Sequence, residues 1–508
     1  MALCTRPSGS ALLLALGLLI GAIGCGAEDS SSHAAKPEKP AKSKPAPTKK
    51  TKAAPAGAAD TSLPSFPSVA PAESPAVPAR QHLGELLQQS NDNQTNFHVA
   101  GPPPVIDEER VAAHGIRKLV GKHVTLYTDL PSQPEVDELP QVFDLAVPQW
   151  RDYFQIEPQK VADWKVWGYV MQDKEKFIAA GLLPDDLPDF PNGYQRGHEF
   201  WLYEQPSAYY RRHLMLHEGT HAAMYHWLGG AGPPWYSEGM AELLGTHRWQ
   251  DGKLQLGYSP RNKEEVPEWG RVRILKDAYK ANRALPLHEV LKLPPDAHKS
   301  NDAYAWSWAA CTFFDQHPRY QEAFRNLRHK TQDVSLDFTT GLLENFRDDA
   351  LAMQTEWQLF IAHAEYGYDV ARNALAVKPA AALPTGGAKV EIAADRGWQS
   401  TGLVLEAGKT YKLTASGRYS LGKEPKEWWC EPGGVTIRYH HGLPLGMLVA
   451  AVRNDSVPAS PSELLQPTPI GLAAELTPTS TGTLWLKINE HESEWADNEG
   501  KVEVEVRE

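Results

Sequence analysis

The chain has 508 residues, of which 42% are hydrophobic, and it carries a formal net charge of −12 at pH 7. A chain of this length exceeds what one hydrophobic core usually organises, so we expect two or more domains. The acidic balance argues against nucleic acid as the main partner, because phosphate binding needs a basic surface.

The four cysteines are too dispersed for a thiolate metal site or a disulfide framework. Cys4 and Cys25 lie near the N-terminus, whereas Cys311 and Cys430 lie far apart in regions that we assign below to different domains. We expect Cys311 and Cys430 to behave as small buried hydrophobic residues.

Residues 1–25 have the pattern of an export signal. Arg6 precedes the apolar run ALLLALGLLIGAI at 11–23, which is too short to span a bilayer comfortably. The stretch AIGC at 22–25 resembles the lipobox of bacterial lipoproteins, which implies that Cys25 is acylated and becomes the mature N-terminus. The alternative is ordinary secretion with an incidental cysteine.

Residues 26–94 are rich in Pro, Ala, Lys and Ser and contain few large apolar side chains. Such a segment cannot offset the entropy lost on folding, so we predict a disordered, semi-extended tether. Together with the leader, this tether predicts an exported protein that a lipid anchor attaches to the membrane of the bacterial cell envelope, on its periplasmic or cell-surface side.

The segment 211–228 has helical periodicity and ends before the Gly-Gly and Pro-Pro pairs at 229–234, which are typical helix stops. His217 and His221 are one turn apart on this helix, so their rings can share one metal ion. Glu218 is rotated by about 100° from His217, which suits a base for a water molecule rather than a ligand. The pattern is His-Glu-x-x-His.

A second helix is predicted to follow at once, and it places Glu238 and Glu242 one turn apart. A catalytic zinc takes three protein ligands and keeps one position open. We therefore predict His217, His221 and Glu238 as the zinc ligands. Glu242 is predicted to accept the outer N–H of a ligand histidine and to fix its tautomer.

The combination of HEGTH at 217–221 with PPWYSEGMAE at 233–242 resembles the gluzincin metallopeptidases, in particular their M1-like and peptidase-MA-like branch. The resemblance implies an α+β zincin-like catalytic domain over 95–375, zinc as the cofactor, peptide or protein substrates, and Glu218 as general base. The sixteen residues between the second histidine and the third ligand depart from the M1 spacing. Aminopeptidase specificity is therefore not implied.

Three neighbouring features belong to the same hypothesis. The alternating aromatic segment at 198–205 is a predicted strand, either the substrate-binding edge strand that gluzincins have at this point or a core strand. Tyr304, in the helical segment 301–317, lies where the resembling families carry a tyrosine that donates to the oxyanion. His213 is expected at the mouth of the site or on the surface, because three ligands on one straight helix cannot converge.

After a boundary at about 376–384, short alternating runs separated by turns predict an all-β sandwich over 384–508. This region resembles the jelly-roll fold of the calcium-dependent galactophilic bacterial lectins.

Oxygen-bearing side chains crowd the loop between the last two predicted strands of this sandwich. Glu490, Glu494, Asp497 and Asn498 suit Ca²⁺, which takes six to eight oxygen ligands. The lectin resemblance matches these positions to a calcium loop, adds Tyr419 as a further ligand and implies glycan binding through the ion. The alternative is a solvated acidic loop on an accessory sandwich.

The sequence thus predicts a zinc-dependent hydrolase, a peptidase of gluzincin type tethered to the cell envelope. The alternative is an envelope glycan-binding protein whose zinc domain is inactive or structural. An intact Glu218 favours the enzyme, because a structural zinc needs no general base.

Overall fold

The computed structural model describes residues 102–424, 426–457 and 459–508, and they all fall within one compact unit. The predicted signal peptide, tether and acylated Cys25 lie outside the described residues. The fold is mixed α+β with a β-rich C-terminal region. Among the described residues, no helix is both long enough and apolar enough to cross a membrane.

A five-stranded sheet organises the first part, with the strand order β1-β2-β3-β5-β4. The inner strands β2, β3 and β5 are parallel, whereas β1 and β4 pair antiparallel with their neighbours. The strands are β1 (Arg117–Val120), β2 (Val124–Thr128), β3 (Val166–Met171), β4 (Gly193–Arg196) and β5 (Glu199–Tyr203). A separate hairpin consists of β6 (His247–Gln250) and β7 (Lys253–Leu256).

Helices make up most of the remaining first part. They are α1 (Glu108–Ala113), α2 (Pro134–Asp137), α3 (Leu139–Phe154), α4 (Pro158–Ala162), α5 (Lys174–Ala180), α6 (Ala208–Leu228), α7 (Pro234–Gly245), α8 (Arg271–Lys280), α9 (Leu287–Val290), α10 (Asn301–Gln316), α11 (Gln321–Asn326), α12 (Leu336–Leu343), α13 (Ala350–Ala362) and α14 (Val370–Asn373). Single 3-10 segments lie at Lys263–Glu265, Pro295–Lys299, Leu327–His329 and Glu344–Phe346.

The five-stranded sheet is buried on both faces because successive side chains of a strand point to opposite sides. Leu126 and Phe200 enter the main core with Trp150 of α3. Their chain neighbours Tyr127 and Trp201 enter a smaller cluster on the other face, which α1 and α5 help to form. The helices α3 and α6 therefore cover one face of the sheet.

Two glycines let helices pack closely, α6 against α3 and α7 against α10. A Cβ on Gly219 of α6 would come within 2.7 Å of the rings of Phe143 and Trp150 on α3. A Cβ on Gly239 of α7 would collide with the sulfur of Cys311 on α10. Both positions adjoin residues of the predicted zinc site, so this close packing fixes where Glu218 and Glu238 can lie.

The predicted end of the histidine helix agrees with the structure, since α6 stops at Leu228 and Gly229 follows with a φ of 77°. Ser207 caps its N-terminus by accepting from the backbone N–H of Tyr210. Cys311 and Cys430 are free and buried, which confirms their prediction as small core residues.

The β-rich part contains two larger sheets, with the orders β17-β16-β19-β10-β8 and β18-β11-β20-β9. Its strands are β8 (Ala381–Ala382), β9 (Ala388–Ala393), β10 (Gln399–Leu405), β11 (Tyr411–Ser416), β12 (Tyr419–Ser420), β13 (Trp429–Cys430), β14 (Val435–His440), β15 (Leu443–Leu445), β16 (Leu448–Arg453), β17 (Thr468–Pro469), β18 (Ala473–Leu476), β19 (Gly482–Ile488) and β20 (Lys501–Arg507). Short 3-10 turns lie at Glu463–Leu465 and Trp495–Asp497.

The two sheets share one hydrophobic core. Leu484 and Leu486 of β19 face Leu413 of β11 and Val504 of β20 in the same buried cluster. The strand β20 shows the alternation directly, because its buried valines alternate with charged residues. The β-rich region thus has two sheets around one core, and their strand pairs are antiparallel except for β8 with β10.

Candidate metal centre

The helix α6 brings His217 and His221 together on one face. The two residues are 5% and 7% exposed, respectively, and their Nε2 atoms lie 3.2 Å apart. One helical turn between them accounts for this proximity, because positions four apart are neighbours on a helix surface.

The helix α7 adds Glu238 to the same point. Its Oε2 atom lies 3.3 Å from Nε2 of His217 and 3.4 Å from Nε2 of His221. An ion at 2.0–2.1 Å from tetrahedral ligands separates those ligands by about 3.3 Å, so the three atoms have the spacing that zinc requires. The residues therefore fit a zinc ion with one open position.

The charges at this point favour a cation. Burial by itself raises the pKa of Glu238, but the facing charges of His221 and His217 hold it well below its usual range. Burial likewise opposes protonation of His217, yet hydrogen bonds to Glu238 and Glu242 raise its pKa to about 10. Two carboxylates facing buried imidazoles thus stabilise positive charge between them, whether the charge is a proton or a metal ion.

Glu218 occupies the gap between α6 and the sheet. The residue is 6% exposed, and burial raises the pKa of its carboxyl group. Its Oε1 atom lies so close to Gly193 of β4 that any Cβ there would collide with it. The absence of a side chain at Gly193 therefore makes room for this carboxylate beside the sheet.

From the sequence, the segment at 198–205 could be either an edge strand or a core strand. In the structure, the edge strand on this side of the sheet is β4 instead. That segment forms β5, which lies between β3 and β4. The chain turns back at Gly197, with a φ of 60°, and β4 pairs along β5 from the outside. The short and weakly apolar β4 carries no strong strand pattern, so the sequence could not place it there.

Tyr304 of α10 lies beside the candidate metal centre. Its ring is centred 5.8 Å from the ring of His217 and 5.7 Å from the Arg271 guanidinium. Burial, with the nearby carboxylates of Glu238 and Glu218, raises the pKa of Tyr304. The phenol stays protonated at neutral pH and can act as a hydrogen-bond donor.

Glu242 lies behind the histidines, as a partner of His217. Its Oε1 atom is 3.4 Å from Nδ1 of His217, and Arg271 of α8 binds the carboxylate with two contacts of 2.9 Å. The expectation for His213 is wrong, because this residue is fully buried and its Nε2 lies 3.4 Å from Glu242. It faces α7 rather than solvent, since α7 packs along the whole of that side of α6.

Three polar residues around the centre, Arg271, Ser237 and His298, were not predicted from the sequence. Arg271 binds the carboxylate of Glu242. Ser237 Oγ lies 3.3 Å from Nδ1 of His221. His298 Nε2 lies 2.9 Å from Ser307 Oγ. The ring of His298 is centred 5.3 Å from that of Tyr304. Ser237 adjoins the predicted ligand Glu238, which is the one signal that could have indicated it.

The predicted calcium loop has a different arrangement. Glu490 is fully buried and Asn498 nearly so, and each has a buried oxygen without a hydrogen-bond partner, Oε2 and Oδ1 respectively. Burial raises the pKa of Glu490 to about 8, and the charges of Glu494 and Asp497 add to that rise. Two buried oxygens without partners suit a cation.

The other predicted calcium residues are less available. Arg438 of β14 binds both carboxylate oxygens of Glu494 at 2.8 Å. The hydroxyl of Tyr419 donates to the backbone carbonyls of Glu431, at 3.0 Å, and of Gly446. These two side chains would have to give up existing partners to ligate an ion. Among the described residues, the acidic side chains of this loop form no group of three converging carboxylates.

No protein-family model matches the chain, and no curated protein matches it. A solved structure described as "EclA N-terminal domain; PllA-like lectin" is 23% identical over 23% of this chain and 93% of that chain, with a TM-score of 0.19. The structure of IMPa from Pseudomonas aeruginosa in complex with an O-glycopeptide is 14% identical over 49% of this chain and 25% of that chain, with a TM-score of 0.13. Likeness at these TM-scores assigns neither a fold nor an activity.

Proposed function

We propose that the chain is a zinc-dependent hydrolase that cleaves peptide bonds, with a gluzincin-like first part. One observation carries the proposal: the ligand atoms of His217, His221 and Glu238 lie 3.2–3.4 Å apart. The buried carboxylate of Glu218 follows the first ligand directly in sequence and is not one of the three.

The reaction needs a base, a donor and a bound peptide. Zinc, when bound, polarises the scissile carbonyl and promotes ionisation of water. Glu218 accepts the proton of the attacking water and delivers it to the amine nitrogen as the C–N bond breaks. Tyr304, protonated at neutral pH, donates a hydrogen bond to the developing oxyanion.

The edge strand β4 offers a place for the peptide. An extended peptide can add to an exposed sheet edge through backbone hydrogen bonds. Gly193 of β4 lies against the carboxylate of Glu218, so a peptide on this edge would pass beside the base. This arrangement favours peptide over small-molecule substrates.

For the β-rich part we propose a lectin-like role that depends on calcium. The support is the pair of buried oxygens without partners on Glu490 and Asn498. The rival function for the whole chain is glycan binding with a structural zinc. It gives Glu218 no role, because a structural zinc ion needs no general base.

The test combines metal analysis with a cleavage screen on a peptide library. His217→Ala and Glu238→Ala should each lose the zinc ion of this centre and all metal-dependent cleavage, because each removes one of its three ligands. His226→Ala is the matched control, since His226 is an exposed histidine near the end of the same helix. Full zinc retention in both ligand variants would refute the site. Zinc loss without any cleavage by the wild type would support the glycan-binding rival.

A further inference from the structure

A second cluster of histidines surrounds a carboxylate where the end of α13 meets the β-rich part. Its members come from the residue after α13, from the end of β14 and the turn that follows it, from β19 and from the loop after β19. They are His363, His440, His441, Lys487, His491 and Glu492. The zinc hydrolase proposed above makes no use of this cluster.

Three members converge as metal ligands do. Ligand atoms of His363, His441 and Glu492 all lie within 4.8 Å of one another. The Nδ1 atom of His363 is buried without a hydrogen-bond partner and lies 3.6 Å from Oε1 of Glu492. The rings of His363 and His441 are centred 4.8 Å apart. Modest side-chain rotations would bring the three atoms to the spacing of about 3.3 Å that tetrahedral ligands have.

The donor set suits a transition-metal ion. Glu492 is 6% exposed, so its carboxylate is held inside the protein beside the two rings. Two imidazoles with one carboxylate are a ligand set for zinc and similar ions.

Other groups contact the same carboxylate, and one of them competes with a cation. Lys487 Nζ lies 3.5 Å from Oε1 of Glu492, and His440 Nε2 lies 3.4 Å from Oε2. Lys487 also has an alternative partner, because its Nζ lies 5.4 Å from the ring centre of Trp398. The ammonium group can therefore remain over the Trp398 ring when a metal ion replaces it at the Glu492 carboxylate.

We propose that His363, His441 and Glu492 form a second binding site for a divalent transition-metal ion such as Zn²⁺. The ion would link the end of α13 to the β14–β15 turn and to the loop after β19. His441 and Gly442 form the two-residue turn itself, with φ values of 48° and 77°, as a tight hairpin requires. The turn holds the His441 side chain beside His363 and Glu492.

The test uses the full chain without a polyhistidine tag and with the first centre disabled by His217→Ala. The metal-free protein is titrated with Zn²⁺ by calorimetry, and bound zinc is counted by mass spectrometry. One zinc per chain should remain in His217→Ala. Adding His441→Asn should weaken zinc binding by at least about a hundredfold. Loss of a residue that only hydrogen-bonds to a ligand costs about 10–100-fold, so a larger loss indicates that His441 is a ligand itself.

Asparagine suits the test because it tolerates a positive φ better than other side chains, so the turn should persist. His329→Asn, at an exposed histidine, is the matched control and should leave binding unchanged. The proposal is overturned if the His217→Ala protein binds no zinc, or if His441→Asn leaves its affinity unaltered.

A third variant tests the competition at Glu492. Lys487→Met, in the same His217→Ala background, removes a cation from the site and should tighten zinc binding by about tenfold or more. Unchanged or weaker affinity would contradict coordination by the Glu492 carboxylate. Circular dichroism of the metal-free variants checks that each one is folded.

Discussion

The candidate centre on α6 and α7 and the predicted calcium loop were both indicated by clustered ligand residues, yet only the first converges. At the first, three ligand atoms lie within 3.4 Å of one another. In the loop, Glu490 and Asn498 each have a buried oxygen without a partner, whereas Glu494 is bound by Arg438. Helical ligands are aligned by backbone periodicity, but loop ligands are aligned by partners from elsewhere in the chain.

This difference affects how each region would respond to its ion. The centre on α6 and α7 is organised by packing that involves no ion, including the close contacts of Gly219 and Gly239. The loop contains the buried carboxyl group of Glu490, whose pKa burial raises to about 8, and a bound cation would favour its charged form. We therefore expect the first region to keep its structure without metal and the loop to gain stability from its ion.

Glu218→Gln tests whether the convergent centre is catalytic. The change should keep zinc and lower kcat/KM for peptide cleavage by about 10²–10⁴-fold, because it removes the general base and no ligand. Zinc content by mass spectrometry and single-turnover cleavage are the measurements. Glu109→Gln, at an exposed glutamate of α1, is the control. Wild-type turnover in Glu218→Gln would assign the base to another residue.

Tyr304→Phe tests whether the proposed catalytic centre extends beyond α6 and α7. Loss of one oxyanion donor should lower kcat by about 10²-fold with little change in KM, since the donor acts in the transition state. Tyr279→Phe, at a tyrosine of α8 that is 41% exposed, is the control. An equal rise in KM with kcat preserved would place Tyr304 in substrate binding instead.

The helices that carry the candidate centre and the main strands of the β-rich part could be predicted because their signals are local. The spacing of His217, His221 and Glu238 follows from helical periodicity and one short connection. The alternating runs expected in the β-rich part include the observed strands β11, β19 and β20.

What the sequence could not give depends on tertiary packing. Arg271 reaches Glu242 from 29 residues away, and His213 is buried against Glu242 and Gly245 of α7. The same holds for the cluster at His363, whose three converging residues come from separate elements spread over 363–492. No periodicity links such positions, so a sequence pattern cannot indicate them.

Added calcium tests whether the predicted calcium loop gains stability from an ion. If the loop binds Ca²⁺, a hundredfold excess over Kd should stabilise the full chain by about 2.7 kcal/mol and raise its thermal unfolding midpoint. Asp497→Ala should abolish that rise, whereas Asp348→Ala, at an exposed aspartate, should retain it. Equal effects of calcium, magnesium and matched monovalent salt would identify a solvated acidic loop instead.

Ser237→Ala has the smallest expected effect and tests whether helical periodicity alone orients the ligands. Ser237 Oγ lies 3.3 Å from Nδ1 of His221, while Nε2 of that ring faces Glu238. A partner on the outer nitrogen fixes the tautomer and the ring orientation, and its loss costs 10–100-fold in metal affinity. A neutral hydroxyl is a weaker partner than a carboxylate, so we expect about a tenfold loss.

Alanine is compatible with the first turn of α7, where Ser237 lies, so the fold should persist in this variant. Competition with a zinc chelator gives the affinity, and Ser456→Ala, at an exposed serine of the β-rich part, is the control. A tenfold weaker Kd would mean that positions four apart on a helix bring the ligands together but do not by themselves orient them. An unchanged Kd would mean that the helix and Glu238 are enough to orient the His221 ring. The difference between this centre and the predicted calcium loop would then come from the backbone alone.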